Sequence, residues 1–265
     1  MKAHGESNGN FRLDGAVAII TGGGSGIGRA IAELFAAQGS RIHILDCDPE
    51  HSEQVACIIR ERGGDAVAHS CDVSVRKQVQ IVMDSITREE RVQILVNNAG
   101  IAHIGKLEDT TEQDFDRIFQ VNVKGIYNCM AVCVSHMKAN GGGIVLNMAS
   151  IASSAGIPER FAYSMSKGAV LSMTYSVAKD YIGYNIRCNC ISPARVYTPF
   201  VDGFVRKNYP GREEEMLKKL SQSQPIGRMA EPKEVASLAL FLCSQEASFI
   251  TGVDYPIDGG FFNIR

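Results

Sequence analysis

The sequence predicts an α/β protein built on one doubly wound parallel sheet with helices on both faces. Three observations support this prediction. Short apolar runs rich in Val and Ile alternate with stretches of helical periodicity, which is the pattern of repeated strand–helix–strand units. A glycine-rich turn joins the first apolar run to the first helical stretch. The 265 residues are 45% hydrophobic and 21% charged, so the chain can bury a core as a single domain.

The predicted elements follow in order from the N-terminus. AVAIIT (16–21) is a continuous apolar run, typical of a strand that is buried on both faces. Further strands are predicted at 41–46, 66–72, 92–100, 143–150 and 186–192. Helices, recognised by apolar residues at helical spacing, are predicted at 27–39, 50–64, 75–90, 111–138 and 161–181.

Two segments stand outside this alternation. Residues 1–10 are polar, and we expect a flexible N-terminal tail there, followed by one domain over 11–265. Residues 194–231 are long, punctuated by prolines and helical in parts. A segment of this kind at the carboxyl edge of a parallel sheet is well placed to cover a ligand, and we predict a C-terminal substrate flap.

Composition and charge exclude several classes of function. The formal net charge is −2 and no basic stripe is interleaved with aromatics, so we expect neither nucleic acid nor an anionic membrane as a partner. The polar start lacks the apolar stretch of a secretory signal, and no apolar run reaches membrane-spanning length. The eight cysteines form no CxxC pair, and the six histidines show no metal-binding spacing. We therefore expect a cytoplasmic protein with reduced thiols, no metal and a small-molecule substrate.

The glycine turn TGGGSGIGRA (21–30) predicts a dinucleotide site. Glycines allow a tight turn, and the helix that follows offers free N–H groups and a partial positive charge to a pyrophosphate. A nucleoside triphosphate loop is disfavoured, because Arg29 and Ala30 stand where that loop needs Lys and Ser or Thr. A merely flexible connection remains the structural alternative, since a lone glycine motif is weak.

Asp46 predicts NAD rather than NADP. It ends the second strand about 20 residues beyond the glycines, where a carboxylate accepts hydrogen bonds from the ribose 2′-hydroxyl and repels a 2′-phosphate. No Lys or Arg follows it directly, and Ser25 occupies the turn position where a base could hold that phosphate. The structural alternative, an N-cap carboxylate, suits Asp48 better because Pro49 follows it.

Four motifs in order resemble the short-chain dehydrogenase/reductase family: TGGGSGIG, NNAG (97–100), Ser150 with Tyr163-x-x-x-Lys167, and DGG (258–260). The resemblance implies a Rossmann-like single domain, a nicotinamide cofactor and a homotetramer. It also implies the cofactor-binding residues, from phosphate turn through adenosine to nicotinamide: Gly22, Gly26, Ile27, Gly28, Asp72, Val73, Asn98, Ala99, Gly100, Pro193, Val196 and Thr198, with Tyr163 and Lys167.

The same resemblance implies the catalytic group and its reaction, hydride transfer between a secondary alcohol carbon and the nicotinamide. Tyr163 would be the acid–base, with Lys167 one helical turn away to lower its pKa and to hold the ribose hydroxyls. Ser150, at the end of a strand, would orient the substrate oxygen. Asn122 would position Lys167 through a water molecule.

The segments next to these motifs suggest the substrate. Hydrogen bonding to hydroxyls or a carboxylate is indicated by His103, Arg160, Arg195 and Tyr197, beside Ser150 and Tyr163. Arg195 replaces a neutral residue common in the family, and it either forms an ion pair at the rim or binds a carboxylate.

The flap resembles that of L-fucose and sugar-acid dehydrogenases, so we expect a hydroxylated sugar or sugar acid. The alternatives are reduction of a 3-oxoacyl thioester and a non-catalytic, nucleotide-sensing protein.

Overall fold

The computed structural model describes residues 10–264, apart from the side chains of residues 207 and 208. Seven parallel strands form one sheet in the order β3-β2-β1-β4-β5-β6-β7. The strands are β1 (Val17–Thr21), β2 (Arg41–Asp46), β3 (Asp65–Ser70), β4 (Val92–Asn97), β5 (Gly143–Met148), β6 (Ile186–Pro193) and β7 (Asp254–Ile257). The predicted α/β fold class, a doubly wound parallel sheet with helices on both faces, is confirmed.

Helices cover both faces of the sheet. They are α1 (Gly26–Ala37), α2 (Pro49–Glu61), α3 (Arg76–Glu89), α4 (Glu112–Phe119), α5 (Gly125–Ala139), α6 (Phe161–Tyr181), α7 (Pro199–Asn208), α8 (Glu213–Gln222) and α9 (Pro232–Cys243). The strand order reverses between β1 and β4, because the chain crosses from the β3 edge back to the middle of the sheet. This crevice at the carboxyl ends is where open α/β sheets bind their ligands.

Two hydrophobic cores lie on opposite faces of the sheet. Successive residues of β1 alternate between them: Ile20 packs with Phe35 of α1, while Ile19 packs with Met83 of α3. The first core also contains apolar residues of α2 and α9, and the second contains those of α5 and α6. Because β1 is buried on both sides, its sequence reads as a continuous apolar run rather than an alternating one.

The structure differs from the predicted elements in the C-terminal part and in one helix. Helix α9 and strand β7 were not predicted; β7 has only four residues, so its apolar signal is short. The helix predicted over 111–138 is interrupted by a π-helical turn, Gln120–Lys124. The predicted tail lies outside the described residues except for residue 10.

The segment predicted as a flap is an excursion whose two ends meet. Tyr197 N donates to Ala230 O at 2.8 Å, and Ala230 N donates to Arg195 O at 2.8 Å. Helices α7 and α8 lie between these anchors. The backbone bonds pin the base of the excursion to the end of β6, so its first residues have defined positions at the carboxyl edge of the sheet.

A pair of stacked histidines joins β2 to β3 away from this edge. The Nδ1 of His43 lies 2.9 Å from the Nε2 of His69, and Glu90 lies 3.2 Å from the other nitrogen of His43. Burial, reinforced by the Arg41 charge, lowers the pKa of His43 to about 4. Burial, followed by repulsion from His43, lowers the pKa of His69 to about 4. Both imidazoles are therefore neutral at pH 7.

This pair predicts a loss of stability in mild acid. Both folded-state pKa values are lowered from 6.5, so the unfolded chain binds more protons between pH 6.5 and 4, and stability falls as the pH falls through that window. Chemical denaturation gives the free energy of unfolding at pH 7 and at pH 4.5. Between these two pH values it should fall by about 1–2 kcal/mol less in His69→Gln than in the original protein. His51→Gln, which removes an exposed histidine, is the control. An unchanged loss in His69→Gln would contradict this account.

Candidate active site

The glycine turn between β1 and α1 is shaped by close backbone contacts. Gly22 has φ 65°, and a Cβ on it would lie 2.8 Å from the Cα of Ala99. A Cβ on Gly28 would lie 2.1 Å from the carbonyl oxygen of Gly22, so no side chain fits there. The Asn98 side chain donates to the carbonyls of Thr21 (3.1 Å) and Gly22 (3.0 Å). Asn98 therefore clamps the turn against β4 as well as lying in the predicted cofactor segment.

The start of α1 fits a bound pyrophosphate. Its N-cap residue, Ser25, makes no side-chain capping bond, and the first turn contains no acidic residue. The same two features occur at the starts of α3 and α6, whereas α2 is capped by Asp48 and α4 by Thr111, so the preceding glycine turn is what distinguishes α1. The first N–H groups of α1 thus keep their hydrogen-bonding capacity and the positive end of the helix dipole. Together with the glycines, this end is a ready anion site, and Ile27 lies in its first turn.

Asp46 lies beside the glycine turn, as the sequence predicts for a residue that binds a ribose. One carboxylate oxygen accepts from Gly24 N at 2.9 Å and the other from Asp48 N at 3.0 Å. Within residues 10–264, it forms no ion pair with a Lys or Arg. The carboxylate is fixed by backbone donors and retains lone pairs for a 2′-hydroxyl.

Asp72 and Val73 follow β3 at the same edge of the sheet. One Asp72 oxygen accepts from both the backbone and the hydroxyl of Ser74, at 2.9 and 2.7 Å. Val73 is buried, and a Cβ on Gly125 would lie 2.7 Å from its side chain. These contacts hold the two residues in place, and their roles towards adenine stay predictions.

Thr198, in the segment predicted as a flap, lies against the glycine turn. A Cβ on Gly26 would lie 3.4 Å from the Cγ2 of Thr198. Thr198 also caps α7 by accepting from Val201 N at 3.3 Å. Pro193 ends β6 and Val196 is buried at the base of the flap. Of the predicted nicotinamide-side residues, Thr198 lies against the glycine turn, and the roles of Pro193 and Val196 towards a cofactor stay predictions.

Asn122 sits in the π-helical turn and binds the segment after NNAG. Its Nδ2 donates to Ile101 O at 2.8 Å and to Ser166 Oγ at 3.0 Å, while its Oδ1 accepts from Ile101 N at 2.8 Å. A Cβ on Gly100 would lie 3.3 Å from that Oδ1 and 3.7 Å from Lys167 Nζ. Asn122 thus joins the cofactor segment to the helix that carries Lys167. Its action through a water molecule stays a prediction.

Ser150 and Tyr163 are brought together at the end of β5. Ser150 follows the strand, and its Oγ accepts from Ala152 N at 3.2 Å. Burial raises the pKa of Tyr163, while a hydrogen bond from Ser150 and the charges of Arg160 and Arg195 oppose that rise. A hydroxyl and a phenol in this arrangement can share one substrate oxygen, Ser150 orienting it and Tyr163 exchanging its proton.

Lys167 is buried one helical turn from Tyr163. Its Nζ donates to Met148 O at 2.7 Å and lies 5.7 Å from the centre of the Tyr163 ring. Burial lowers the pKa of Lys167 itself to about 8. Among the chain's own groups, the cations that favour the phenolate are Arg160 and Arg195. A role of Lys167 in lowering the pKa of Tyr163, together with a bound nicotinamide, stays a prediction.

The remaining predicted substrate residues take different positions. His103 lies against α4, with its Nε2 3.7 Å from an Asp114 oxygen, and its Nδ1 is buried without a described partner. Tyr197 is exposed at the start of the flap. Arg160 precedes α6, and Arg195 follows β6. Substrate contact by these residues stays a prediction.

Thr21 and Ser166 support this site although the sequence did not predict a role for them. Thr21 Oγ1 accepts from the backbone N–H groups of Asn98 and Ala99, both at 3.0 Å. Ser166 Oγ accepts from Asn122 Nδ2 and donates to Tyr163 O at 2.7 Å, so it links Asn122 to the backbone of Tyr163. Thr21 and Ser166 both lie inside motifs recognised in the sequence. A small polar residue at a position expected to be buried was the signal that could have identified them.

Two further findings concern metals and membranes. Among residues 10–264, no group of three or more His, Cys, Asp or Glu side chains is arranged to hold a metal ion. In the same part of the chain, every helix is too short or too polar to cross a membrane.

Because Lys167 is buried as a cation, we predict that it lowers the free energy of unfolding of the protein. Its folded-state pKa is lowered, so the cost is fully present below pH 8 and disappears as the pH rises towards 10.5. Lys167→Met should raise the free energy of unfolding by about 1–2 kcal/mol at pH 7, because the lost bond to Met148 offsets part of the gain. Urea denaturation at pH 7 and pH 9.5 should show a smaller gain at the higher pH. A gain that grows with pH would refute this prediction.

The chain is similar to known oxidoreductases along most of its length. The family model described as enoyl-(acyl carrier protein) reductase matches residues 22–262. D-threitol dehydrogenase of Mycolicibacterium smegmatis is 39% identical over 257 residues, 95% of each chain. NAD-dependent glycerol dehydrogenase of Listeria innocua is 37% identical over 253 residues, 95% of this chain and 96% of that one. L-sorbose reductase of Gluconobacter frateurii, solved with NADPH and L-sorbose, has a TM-score of 0.91 at 30% identity, covering 96% of this chain and 99% of that one. The chain is therefore an oxidoreductase of the short-chain dehydrogenase/reductase family.

Proposed function

We propose that this protein is an NAD-dependent dehydrogenase that interconverts a secondary alcohol and a ketone on a hydroxylated sugar or sugar acid, of the L-fucose or fuconate kind. The observation that carries the proposal is the convergence of Ser150, Tyr163 and Lys167 at the carboxyl edge of the sheet, next to an uncapped helix start that suits a pyrophosphate. We also expect a cytoplasmic homotetramer.

Each residue of the site has its own role in the proposed reaction. A bound nicotinamide would supply the hydride acceptor. Tyr163 holds or releases the proton of the substrate oxygen at its own hydroxyl, and Ser150 donates a hydrogen bond that favours the phenolate. Lys167 faces the cofactor segment near Gly100, where its ammonium would bind the ribose hydroxyls. Asn122 and Ser166 keep that helix against the segment after NNAG.

Asp46 supports NAD as the cofactor. Relatives use either nucleotide: the glycerol dehydrogenase is named NAD-dependent, and the sorbose reductase was solved with NADPH. In this chain the carboxylate of Asp46 is anchored by Gly24 and Asp48 and is not neutralised by a described Lys or Arg. A 2′-phosphate would therefore meet an uncompensated negative charge.

Polar residues beside the site support a hydroxylated substrate. Relatives are named for D-threitol and glycerol, and the sorbose reductase was solved with L-sorbose. Arg160 and Arg195 lie near Tyr163, where they could contact hydroxyl or carboxylate groups. A 3-oxoacyl thioester is the competing substrate class; exclusive reduction of acetoacetyl thioester with NADPH would overturn both the substrate and the cofactor proposed here.

Tyr163→Phe should remove the acid–base group and leave cofactor binding intact. We expect kcat/KM for oxidation of the alcohol substrate to fall by about 10²- to 10⁴-fold. The NADH dissociation constant, measured by fluorescence titration, should change less than about threefold. Tyr175→Phe, on the exposed face of the same helix, is the matched control and should keep near-normal turnover. Full turnover by Tyr163→Phe would refute the assignment.

Asp46→Asn should weaken the preference for NAD. The amide keeps one acceptor oxygen but loses the charge that repels a 2′-phosphate, so the ratio of kcat/KM with NAD to that with NADP should fall by about tenfold or more. Asp48→Asn, two residues along and still able to cap α2, should leave the ratio unchanged. If the original enzyme prefers NADP, the proposed role of Asp46 fails.

A further inference from the structure

We propose that Arg160 and Arg195 together bind the carboxylate of the substrate beside Tyr163, so that the enzyme selects sugar acids over the corresponding neutral polyols. The proposal rests on the dehydrogenase function proposed above and names its substrate class. It assigns specificity to a pair of residues on two different elements.

The backbone places both arginines at the reacting end of the site. β5 and β6 are neighbours in parallel register, with Met148 opposite Ile191. In this register Ser150, two residues beyond β5, is level with Pro193, the last residue of β6, and Arg195 follows two residues later at the same carboxyl edge. Arg160 is the N-cap residue of α6, three residues before Tyr163 and thus close to one helical turn from it.

Backbone hydrogen bonds hold both residues in position. Gly105 N donates to Glu159 O at 3.0 Å, and Phe161 N donates to Gly105 O at 3.2 Å, so the chain on each side of Arg160 is fixed to the loop after NNAG. Arg195 accepts from Ala230 N at 2.8 Å at the base of the flap. The two guanidinium groups therefore extend from rigid anchors rather than from a free loop.

Neither arginine has a carboxylate partner among the described side chains. Most other arginines do: those that form an ion pair are Arg12, Arg29, Arg41, Arg60, Arg62, Arg117, Arg206, Arg212 and Arg228. Arg160 donates only to the adjacent Glu159 O, at 3.2 Å. Both side chains are nevertheless partly buried, and partly desolvated cations without a counter-charge are costly unless an anion joins them.

The charges of the two arginines act on each other and on the acid–base group. Burial, followed by the repulsion of Arg195, lowers the pKa of Arg160, and burial also lowers the pKa of Arg195. Both charges lower the pKa of Tyr163. A carboxylate between them would relieve their repulsion, and two planar guanidinium groups match its two oxygens.

The position of the pair argues against a role in selecting NADP. The 2′-phosphate of NADP would lie at Asp46, at the end of β2, whereas the arginines follow β6 and precede α6. In the sheet, β2 and β6 are separated by β1, β4 and β5. The pair therefore lies away from the position of the 2′-phosphate.

Matched substrate pairs test the proposal directly. D-gluconate and D-glucitol, D-threonate and D-threitol, and L-fuconate and L-fucitol differ only in carrying a carboxylate or a CH₂OH group at the end. We expect higher kcat/KM with NAD for the acid of at least one pair. Arg160→Gln and Arg195→Gln should each reduce that acid-over-polyol preference by about 10- to 100-fold, mainly through KM.

Two further variants separate a binding role from a structural one. Arg206→Gln, an exposed flap arginine paired with Asp202, removes the same charge and should keep the preference. Arg195→Lys keeps the charge without the planar fork and should recover only part of the preference. NADH affinity should be unchanged in every variant. If the Arg195 variants lost as much affinity for NADH as for the acid, Arg195 would be assigned to the cofactor and the proposal would be overturned.

A binding measurement distinguishes failure of this inference from failure of the proposed function. If no pair is oxidised, the melting temperature of the NADH complex is measured with each acid and polyol. Stabilisation by acids alone, lost in Arg195→Gln but kept in Arg206→Gln, would support the carboxylate site although the assigned reaction had failed. Equal effects of acids and polyols, or tighter binding of sugar phosphates than of acids, would overturn it.

Discussion

The burial of the sheet on both faces is the constraint on which the rest of this structure depends. Helices cover each face with a separate apolar core, so β1 has no position that tolerates an unpaired polar group. Polar chemistry is displaced to the carboxyl edge, where strands end and helices begin. Ser150, Asp46 and Asn98 all lie there, each held by backbone or side-chain hydrogen bonds. The candidate active site thus lies where side chains no longer need to be apolar to pack against a helix.

Hydrogen bonds between buried polar side chains near this edge link neighbouring elements of the fold. Asn97 on β4 donates to Asn147 on β5 at 2.8 Å, and Asn147 donates to Thr174 on α6 at 2.9 Å. This chain of bonds joins two central strands to the helix that carries Tyr163 and Lys167. Because a buried amide left unpaired is costly, the three elements have little freedom to shift relative to one another.

Cations without carboxylate partners lie near Tyr163, the proposed acid–base residue. Lys167 is paired with a neutral carbonyl, and Arg160 and Arg195 have no acidic partner among the described side chains. Such an arrangement weakens the fold and favours negative charge at the centre of the site, whether on the phenol or on a substrate. The charges of this site therefore favour the proposed function and lower the stability of the fold. The π-helical turn at Asn122 is a comparable local departure, since it turns one amide towards the cofactor segment.

The sequence by itself determined the fold class, most element positions, the glycine turn and the motif residues, because apolar periodicity and turn chemistry act over short stretches of chain. It did not reveal β7, α9, the π-helical turn, or the support from Thr21 and Ser166, whose signals are short or depend on distant partners. Only the tertiary structure decided where long side chains end: Lys167 reaches Met148, His103 faces Asp114, and both arginines come close to Tyr163. These outcomes depend on the packing of elements far apart in sequence, and local spacing carries no information about that packing.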